Sequence, residues 1–473
     1  MRLLLVDPPP PFDAYRRAVV AAPFCPSLTL AVLGGAAKDA GHQVRILDLR
    51  LTDQPDAALR EELTSFRPNV VGFTCFTFTY QTTLRLAAEA RQVLPDALFL
   101  LGGVHAQVVS EDELHASPFD ALVLGEGEQT LKEILAGRPL EQIDGLLVRR
   151  GSDIIRTGRR ELAADLDELG FPAYELFDLR RYARASELWK SKRVVMLETS
   201  RGCPFHCSFC TSHLVFGDRW RAKSASRVMA EIHRFLDLGF EEIHIQDDGF
   251  TTDLTRAKEI CRRILTCGRR FPWELYNGIR ADLADEEFIE LAARSGCYRI
   301  RFGIESGSQE VLNANCKRLR LDQVPRVFAW ARKYGMETAA LFILGLPEET
   351  PATMEATTEF ALGLPCDFAR VSVLSPYPGS AIYERWKSEG RILAENWDDY
   401  HFHSVGKLVY RHPQLSGEEI QRAYRRFYRR FYLRPSYLFE RVRLGLRRGT
   451  MWRDIRYFGV KFLWDRRPAR EAI

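Results

Sequence analysis

No uncharged run in these 473 residues approaches the length of a membrane-spanning helix. Nor is there a secretory h-region. Met1-Arg-Leu-Leu-Leu-Val runs at once into Asp7 and four prolines, so no signal peptide is expected. The chain carries ten cysteines, too few and too unevenly placed for a disulfide framework. Three of them lie within eight residues, which fits a reduced, cytoplasmic protein with a metal site. No nucleic-acid-binding module is recognisable. With 46% hydrophobic and 27% charged residues, the sequence reads as a globular protein of two or three domains.

What is present centres on residues 200–212, Ser-Arg-Gly-Cys-Pro-Phe-His-Cys-Ser-Phe-Cys-Thr-Ser. Cys203, Cys207 and Cys210 are spaced C-x3-C-x2-C after the apolar run Val194–Leu197. Soft thiolates at this spacing select an iron–sulfur cluster, zinc or copper(I). A cubane cluster normally takes four cysteines; three would leave one iron open to a small molecule. The competing reading is a zinc site with His206 or His213 as fourth ligand. The other seven cysteines read as small buried or half-buried residues.

Before this motif, strand-length apolar runs alternate with helical spacing over 1–140. The strands are expected at Leu3–Val6, Val44–Leu47, Val70–Phe73, Leu98–Leu101 and Ala121–Leu124, with helices at Leu28–Ala40, Asp56–Phe66 and Thr82–Val93. Wholly apolar strands predict a doubly wound, Rossmann-like parallel sheet that binds its ligand beyond the strands' C-terminal ends. The loops there hold Thr74, the pair Gly102-Gly103 followed by His105, and Gly125-Glu126-Gly127-Glu128. Residues 141–190 read as a connector: a hairpin around Gly151-Ser152, then an extended crossing that contains Pro172.

Residues 191–385 hold six strand-like runs separated by helical segments. This predicts a partial (β/α)6 barrel of TIM type with its chemistry at the C-terminal edge. The runs are Val194–Leu197, Glu242–Ile245, Leu275–Gly278, Arg299–Ile304, Leu341–Leu344 and Val371–Leu374. Their ends carry Asp247-Asp248, Arg280, Gly-Ile-Glu305-Ser306-Gly, and Gly345-Leu346-Pro-Glu-Glu. Carboxylates suit an ammonium group, and Arg280 suits a carboxylate.

Residues 386–473 form a basic, aromatic, helical region. From Gln421 onward sixteen Lys/Arg stand against four acidic residues, a net of +12 in a chain of only +4, so the rest sums to −8. A helix over Glu418–Tyr432 is expected, capped by Ser416 with Glu419 three residues on. Its arginine stems could cover barrel surface. It could instead meet anionic lipid, or bind nucleic acid. His401, His403 and His412 either line a pocket or sit on a surface loop.

The cysteine motif, with Phe209 just before its last cysteine, resembles the radical S-adenosylmethionine (SAM) superfamily. With the preceding Gly-Gly-x-His-Ala and Gly-Glu-Gly-Glu loops, the chain is similar to the cobalamin (B12)-binding branch. That branch includes anaerobic Mg-protoporphyrin ester cyclase, hopanoid methylases and natural-product C-methylases. The resemblance implies three cofactors: a [4Fe–4S] cluster on Cys203, Cys207 and Cys210, SAM on the open iron, and cobalamin on the first domain. It implies SAM contacts from Phe209, Asp247, Asp248, Arg280, Glu305, Ser306, Gly345 and Leu346. It implies cobalamin contacts from Thr74, Gly102, Gly103, His105, Glu126 and Gly127, with His105 hydrogen-bonding a loop or the corrin periphery rather than ligating cobalt. The implied activity is reductive cleavage of SAM to a 5′-deoxyadenosyl radical, followed by methylation of an unactivated carbon; oxidative cyclisation or rearrangement is the rival. Implied partners are ferredoxin or flavodoxin and a small-molecule substrate. The basic end suggests a lipid-like or anionic substrate and peripheral membrane contact, and no nucleic acid is expected. The rival without catalysis is a zinc-stabilised nucleic-acid binder.

Overall fold

The computed structural model describes residues 1–10, 24–184, 188–400, 408–448 and 451–452. The first sheet contains β1 (Arg2–Asp7), β2 (Gln43–Asp48), β3 (Val70–Thr74), β4 (Leu98–Gly102), β5 (Ala121–Val123), β6 (Leu146–Arg150) and β7 (Asp153–Arg156) in the order β2-β1-β3-β4-β5-β6-β7. The first five are parallel. The strand order reverses between β1 and β3, where such sheets bind ligands. Side-chain alternation in β1 sorts the two faces: Leu3 and Leu5 join one core, Leu4 and Val6 the other. Helices Leu28–Asp39 and Glu128–Leu135 cover the first face; Pro55–Phe66 and Tyr80–Val93 cover the second. Gly41, with φ +82°, ends the first of these as expected.

Two details depart from the expected organisation. The 146–156 hairpin is not part of a free connector: it pairs antiparallel with β5 and finishes the sheet edge. The crossing that follows is wedged between the domains. Tyr174, Phe177 and Tyr182 are buried in a core that also holds Phe235 and Phe240 of the second domain. The Tyr174 hydroxyl donates to the Met196 carbonyl at 2.7 Å.

The second sheet contains β8 (Val194–Leu197), β11 (Glu242–Ile245), β12 (Trp273–Ile279), β13 (Cys297–Glu305), β14 (Glu337–Leu344) and β15 (Phe368–Val373), all parallel and adjacent in chain order. Between β8 and β11 a short ribbon forms from β9 (Ser200–Arg201) and β10 (Arg221–Ala222). The helices after these strands start on polar caps: Asp253, Asp285, Ser308, Thr350 and Ser380 each accept from a backbone N–H of the first turn. This is the partial (β/α)6 barrel.

An open barrel leaves an end and an edge to satisfy. The N-terminal end is filled by charge. Arg299 reaches Glu337 at 2.7 Å and Glu274 at 3.3 Å, Arg301 reaches Glu274 at 2.9 Å, and the His244 ring lies between Glu242 and Glu274. The free edge of β15 is covered by the helix Gly417–Tyr432, which begins on the expected Ser416–Glu419 capping box. Tyr428 accepts from Val371 N–H and donates to its carbonyl; Tyr432 does the same for Ala369. Two hydroxyls thus stand where a neighbouring strand's backbone would. The aromatic face of this helix packs on the barrel, while Arg422, Arg425, Arg426 and Arg429 remain exposed.

Removing both hydroxyls strands two buried N–H and two carbonyl groups. The Tyr428→Phe, Tyr432→Phe variant should lose about 2–6 kcal/mol of stability, read by denaturant unfolding. A wild-type midpoint would mean that the edge does not depend on these bonds.

Candidate active site

The cysteine loop leaves β8 and is closed at its neck by the β9–β10 ribbon. Gly202 has φ +80°, and a Cβ there would lie 2.5 Å from the Arg219 carbonyl oxygen, so only glycine lets the two arms approach. Cys203, Cys207 and Cys210 are free and half-buried, whereas Cys25, Cys75, Cys261, Cys297 and Cys366 are buried in the cores. Burial pushes the Cys207 thiol up to about 11, with Lys317 opposing and Cys210 adding to the shift. Lys317 pairs with Glu305 at 3.0 Å. The turn before Lys317 holds the loop from the side: Asn315 accepts from the Ser208 N–H and hydroxyl.

Several predicted contacts have other work in the fold. Asp247 is buried, and its carboxylate accepts from Thr199 N–H and from the Thr199 and Ser200 hydroxyls at 2.5–2.6 Å. It fastens the start of the loop to the end of β11. Asp248 beside it is exposed. Its carboxyl is raised to about 6 by surrounding protein and by the charges of Asp247 and Glu198. Arg280 grips Asp282 through two nitrogens, donates to Lys317 O at 2.6 Å and covers the Phe205 ring at 3.9 Å. These contacts brace the cysteine loop. Ser306 is buried against Thr357. Glu305 adopts φ +72° at a shift in the β13–β14 register. A non-glycine residue held in this region marks stored strain, which clusters at functional sites.

Phe209 and Leu346 share one apolar cluster with Tyr377, Tyr383, Trp386 and Tyr410. At Gly345, φ +84°, a Cβ would strike the Tyr410 hydroxyl. The Gly345 and Leu346 N–H groups donate to Glu349, and Leu346 O accepts from His412 Nε2 at 2.9 Å. His412 is therefore a buried tie rather than a pocket-lining or surface residue. His401 and His403 lie outside the described residues.

On the first domain, the loops after β3 and β4 are packed together. A Cβ on Gly103 (φ +93°) would lie within 2.9 Å of Cys75 O, Cys75 N and Thr74 Oγ1. His105 is 1% exposed, with Nδ1 3.2 Å from Thr77 Oγ1 and its ring against Tyr80 and Trp397; Nε2 has no partner. Burial lowers its pKa to about 4, so the imidazole is neutral near pH 7. Gln107 ties the next loop, donating to Gly103 and Val123 carbonyls and accepting from Gly125 N–H. Gly127 packs under Leu33.

Glu126 is turned onto the barrel. It is buried, 3.1 Å from Arg201 and 2.8 Å from Arg221, and also accepts from Ala163 N–H. Arg201 further reaches Glu128 at 2.7 Å and Glu198 at 2.6 Å. Arg201 stands two residues before Cys203. The first domain's Gly-Glu-Gly-Glu loop is thus bolted to the cysteine loop. Sequence reading missed this junction, along with Gln107 and Trp397, because an arginine beside a motif reads as exposed until its partners are known.

Residues 17–135 match the B12 binding domain family and 197–361 the Radical SAM superfamily. An uncharacterized methyltransferase of Pyrococcus horikoshii is 32% identical over 448 residues, covering 93% of this chain and 95% of its own. The chain belongs to the cobalamin-binding radical SAM enzymes. The cytidylyl-2-hydroxyethylphosphonate methyltransferase of Streptomyces wedmorensis is 29% identical, over 85% of each chain. A structure of the radical SAM methyltransferase TsrM from Kitasatospora setae shares the fold, with TM-score 0.70 and 21% identity over 83% of this chain and 77% of that one.

This radical SAM enzyme therefore uses a [4Fe–4S] cluster, SAM and cobalamin, with a small-molecule substrate and an external reductant. The zinc alternatives fall. The Radical SAM match spans the three-cysteine loop, and His206, the candidate fourth ligand, faces Asp218 at 3.7 Å. The donor set fits the cluster: three accessible thiols on one loop. The cobalamin edge fits as well. Gly103 leaves no room for a side chain, and the buried His105 Nε2 still lacks a partner.

Two outcomes follow for the enzyme. Glu126→Ala leaves Arg201 and Arg221 short of a buried counter-charge and should cost about 3–5 kcal/mol, with faster proteolysis between the domains; unaltered proteolysis would show the junction to be dispensable. Glu349 is raised from 4.5 to about 8 by burial. Between those values the folded chain keeps a proton that the unfolded chain has lost. Its contribution is present below pH 4.5 and lost as pH rises through 8. Glu349→Gln should flatten the fall of stability with pH there by up to about 1.4 kcal/mol per pH unit, measured by unfolding at each pH.

Proposed function

We propose that this enzyme methylates an unactivated carbon of a lipid, tetrapyrrole or secondary metabolite. The observation that carries the reading is the junction of the two cofactor edges: one buried arginine, Arg201, joins the loop of three thiols to the loop after β5. Two relatives matched over 95% and 85% of their own length are named methyltransferases, against 73% and 67% for two cyclases, which supports methyl transfer.

In this reading Cys203, Cys207 and Cys210 hold the cluster and leave one iron for SAM. Asp248 takes the SAM amino group, while Asp247, Arg280 and Ser306 keep the loops in place. Glu305, Phe209, Gly345 and Leu346 face the nucleoside. Thr74, Gly102, Gly103, His105 and Gly127 form the corrin edge, with Glu126 clamping it to the barrel. His105 would offer its unpartnered Nε2 to a hydrogen bond from a loop or the corrin periphery. When bound, the cluster and SAM supply a hydrogen-abstracting radical and cobalamin supplies the methyl group. The protein positions these groups and excludes water. Ferredoxin or flavodoxin delivers the electron, the substrate is large and lipid-like or anionic, and the basic end works at a membrane from the cytoplasmic side.

Anaerobic reconstitution tests the cofactors. About four irons and one cobalt per chain are expected, with iron lost in Cys207→Ala. With a candidate substrate, a mass gain of about 14 marks replacement of hydrogen by methyl. A product lighter by two hydrogens would replace methylation with cyclisation.

A further inference from the structure

Of the ten large apolar side chains exposed among the described residues, six fall between 433 and 452: Leu433, Leu438, Phe439, Val442, Leu446 and Trp452. This is a concentration rather than the scatter normal for a surface. Four of them lie on the helix Pro435–Arg448. At 3.6 residues per turn, 438, 439, 442 and 446 fall within an arc of about 100°.

The opposite face is anchored. Tyr437 is buried and its hydroxyl donates to Asp367 O at 2.8 Å. Arg441 is 8% exposed, lies 3.6 Å from the Asp367 carboxylate and covers the Phe368 ring at 4.8 Å. Glu440 pairs with Arg332. The helix therefore cannot rotate its apolar stripe inward without breaking a buried ion pair. Phe439 is 74% exposed with its helix fixed.

The charge around the stripe chooses its occupant. Arg443 is exposed beside it, and Arg425, Arg426 and Arg429 are exposed on the preceding helix. Residues 421–473 carry a net +12. A second copy would bring the same charge against itself. An anionic surface neutralises it, and a fluid one accepts bulky Leu and Phe side chains without a preformed groove. An apolar stripe bearing Phe and Leu with arginine at its margin is the pattern of a helix lying in a bilayer interface. No helix among the described residues is long and apolar enough to cross a membrane.

We propose that the helix Pro435–Arg448 docks on an anionic phospholipid bilayer through Leu438, Phe439, Val442 and Leu446, with Arg443 on the headgroups. The inference rests on the peripheral reading above and names its face and its lipid. Docking there brings the barrel to the source of a lipid-like substrate.

Flotation of the full-length protein with phosphatidylcholine vesicles, with and without phosphatidylglycerol, tests it and requires no turnover. The wild type should float with the phosphatidylglycerol vesicles and dissociate at high salt. The Phe439→Asp, Leu446→Asp variant should bind at least about tenfold more weakly with an unchanged melting temperature, because both side chains are exposed. Arg443→Glu should weaken binding about fivefold or more. Equal binding to both vesicle types would overturn the anionic assignment, and wild-type affinity in the double variant would overturn the surface. A dimer in light scattering that dissociates in the double variant would give the face to a second copy. Methyl transfer without vesicle binding sinks this proposal alone; vesicle binding without a methylated product sinks the methylation reading alone.

Discussion

The Arg201 guanidinium is the contact on which the rest of the site depends. It is 4% exposed and gathers Glu126, Glu128 and Glu198 within 3.1 Å, with Arg221 sharing Glu126. Taking these charges out of water is costly, and the cluster stands only because each charge has partners. Two of the carboxylates come from the first domain and the arginines from the two arms of the cysteine loop. The geometry of one cofactor edge therefore cannot drift without disturbing the other. Asp247 repeats the logic inside the barrel, drawing Thr199 and Ser200 onto the end of β11. Both acidic residues read from sequence as ligand contacts; both spend their charge on making the ligand loop rigid.

A six-stranded barrel that does not close sets a second constraint. Closed barrels fill their interior with aliphatic layers and have no edge. Here the N-terminal end is packed with Glu242, His244, Glu274, Arg299 and Glu337, all buried. The edge at β15 is completed by tyrosine hydroxyls from Gly417–Tyr432. The C-terminal region is thus structural on one helix and, through the exposed stripe of the next, available to a surface.

Local strain falls where ligands are expected. Gly103, Gly202 and Gly345 all have positive φ with backbone or a hydroxyl in the space of a Cβ, and Glu305 adopts a similar conformation at the cost of its side chain's freedom. The packing around each over-determines it: Cys75 against Gly103, Arg219 against Gly202, Tyr410 against Gly345. These positions let backbone reach cofactors while the neighbouring side chains hold it still.

The sequence by itself determined what depends on local pattern. Alternating apolar runs and helical spacing set the doubly wound domain and the six βα units, because period and burial are properties of the segment. The C-x3-C-x2-C spacing picked out the thiols, and Ser416 with Glu419 set the start of the long helix. What the tertiary structure alone decided is the allocation of charge. Asp247 and Asp248 are adjacent and chemically identical, yet one is buried on Thr199 and Ser200 and the other is exposed. Glu126 and Arg201 are 75 positions apart and meet at 3.1 Å. A carboxylate's role follows from which donors reach it, and donors brought together across domains leave no local trace in the chain.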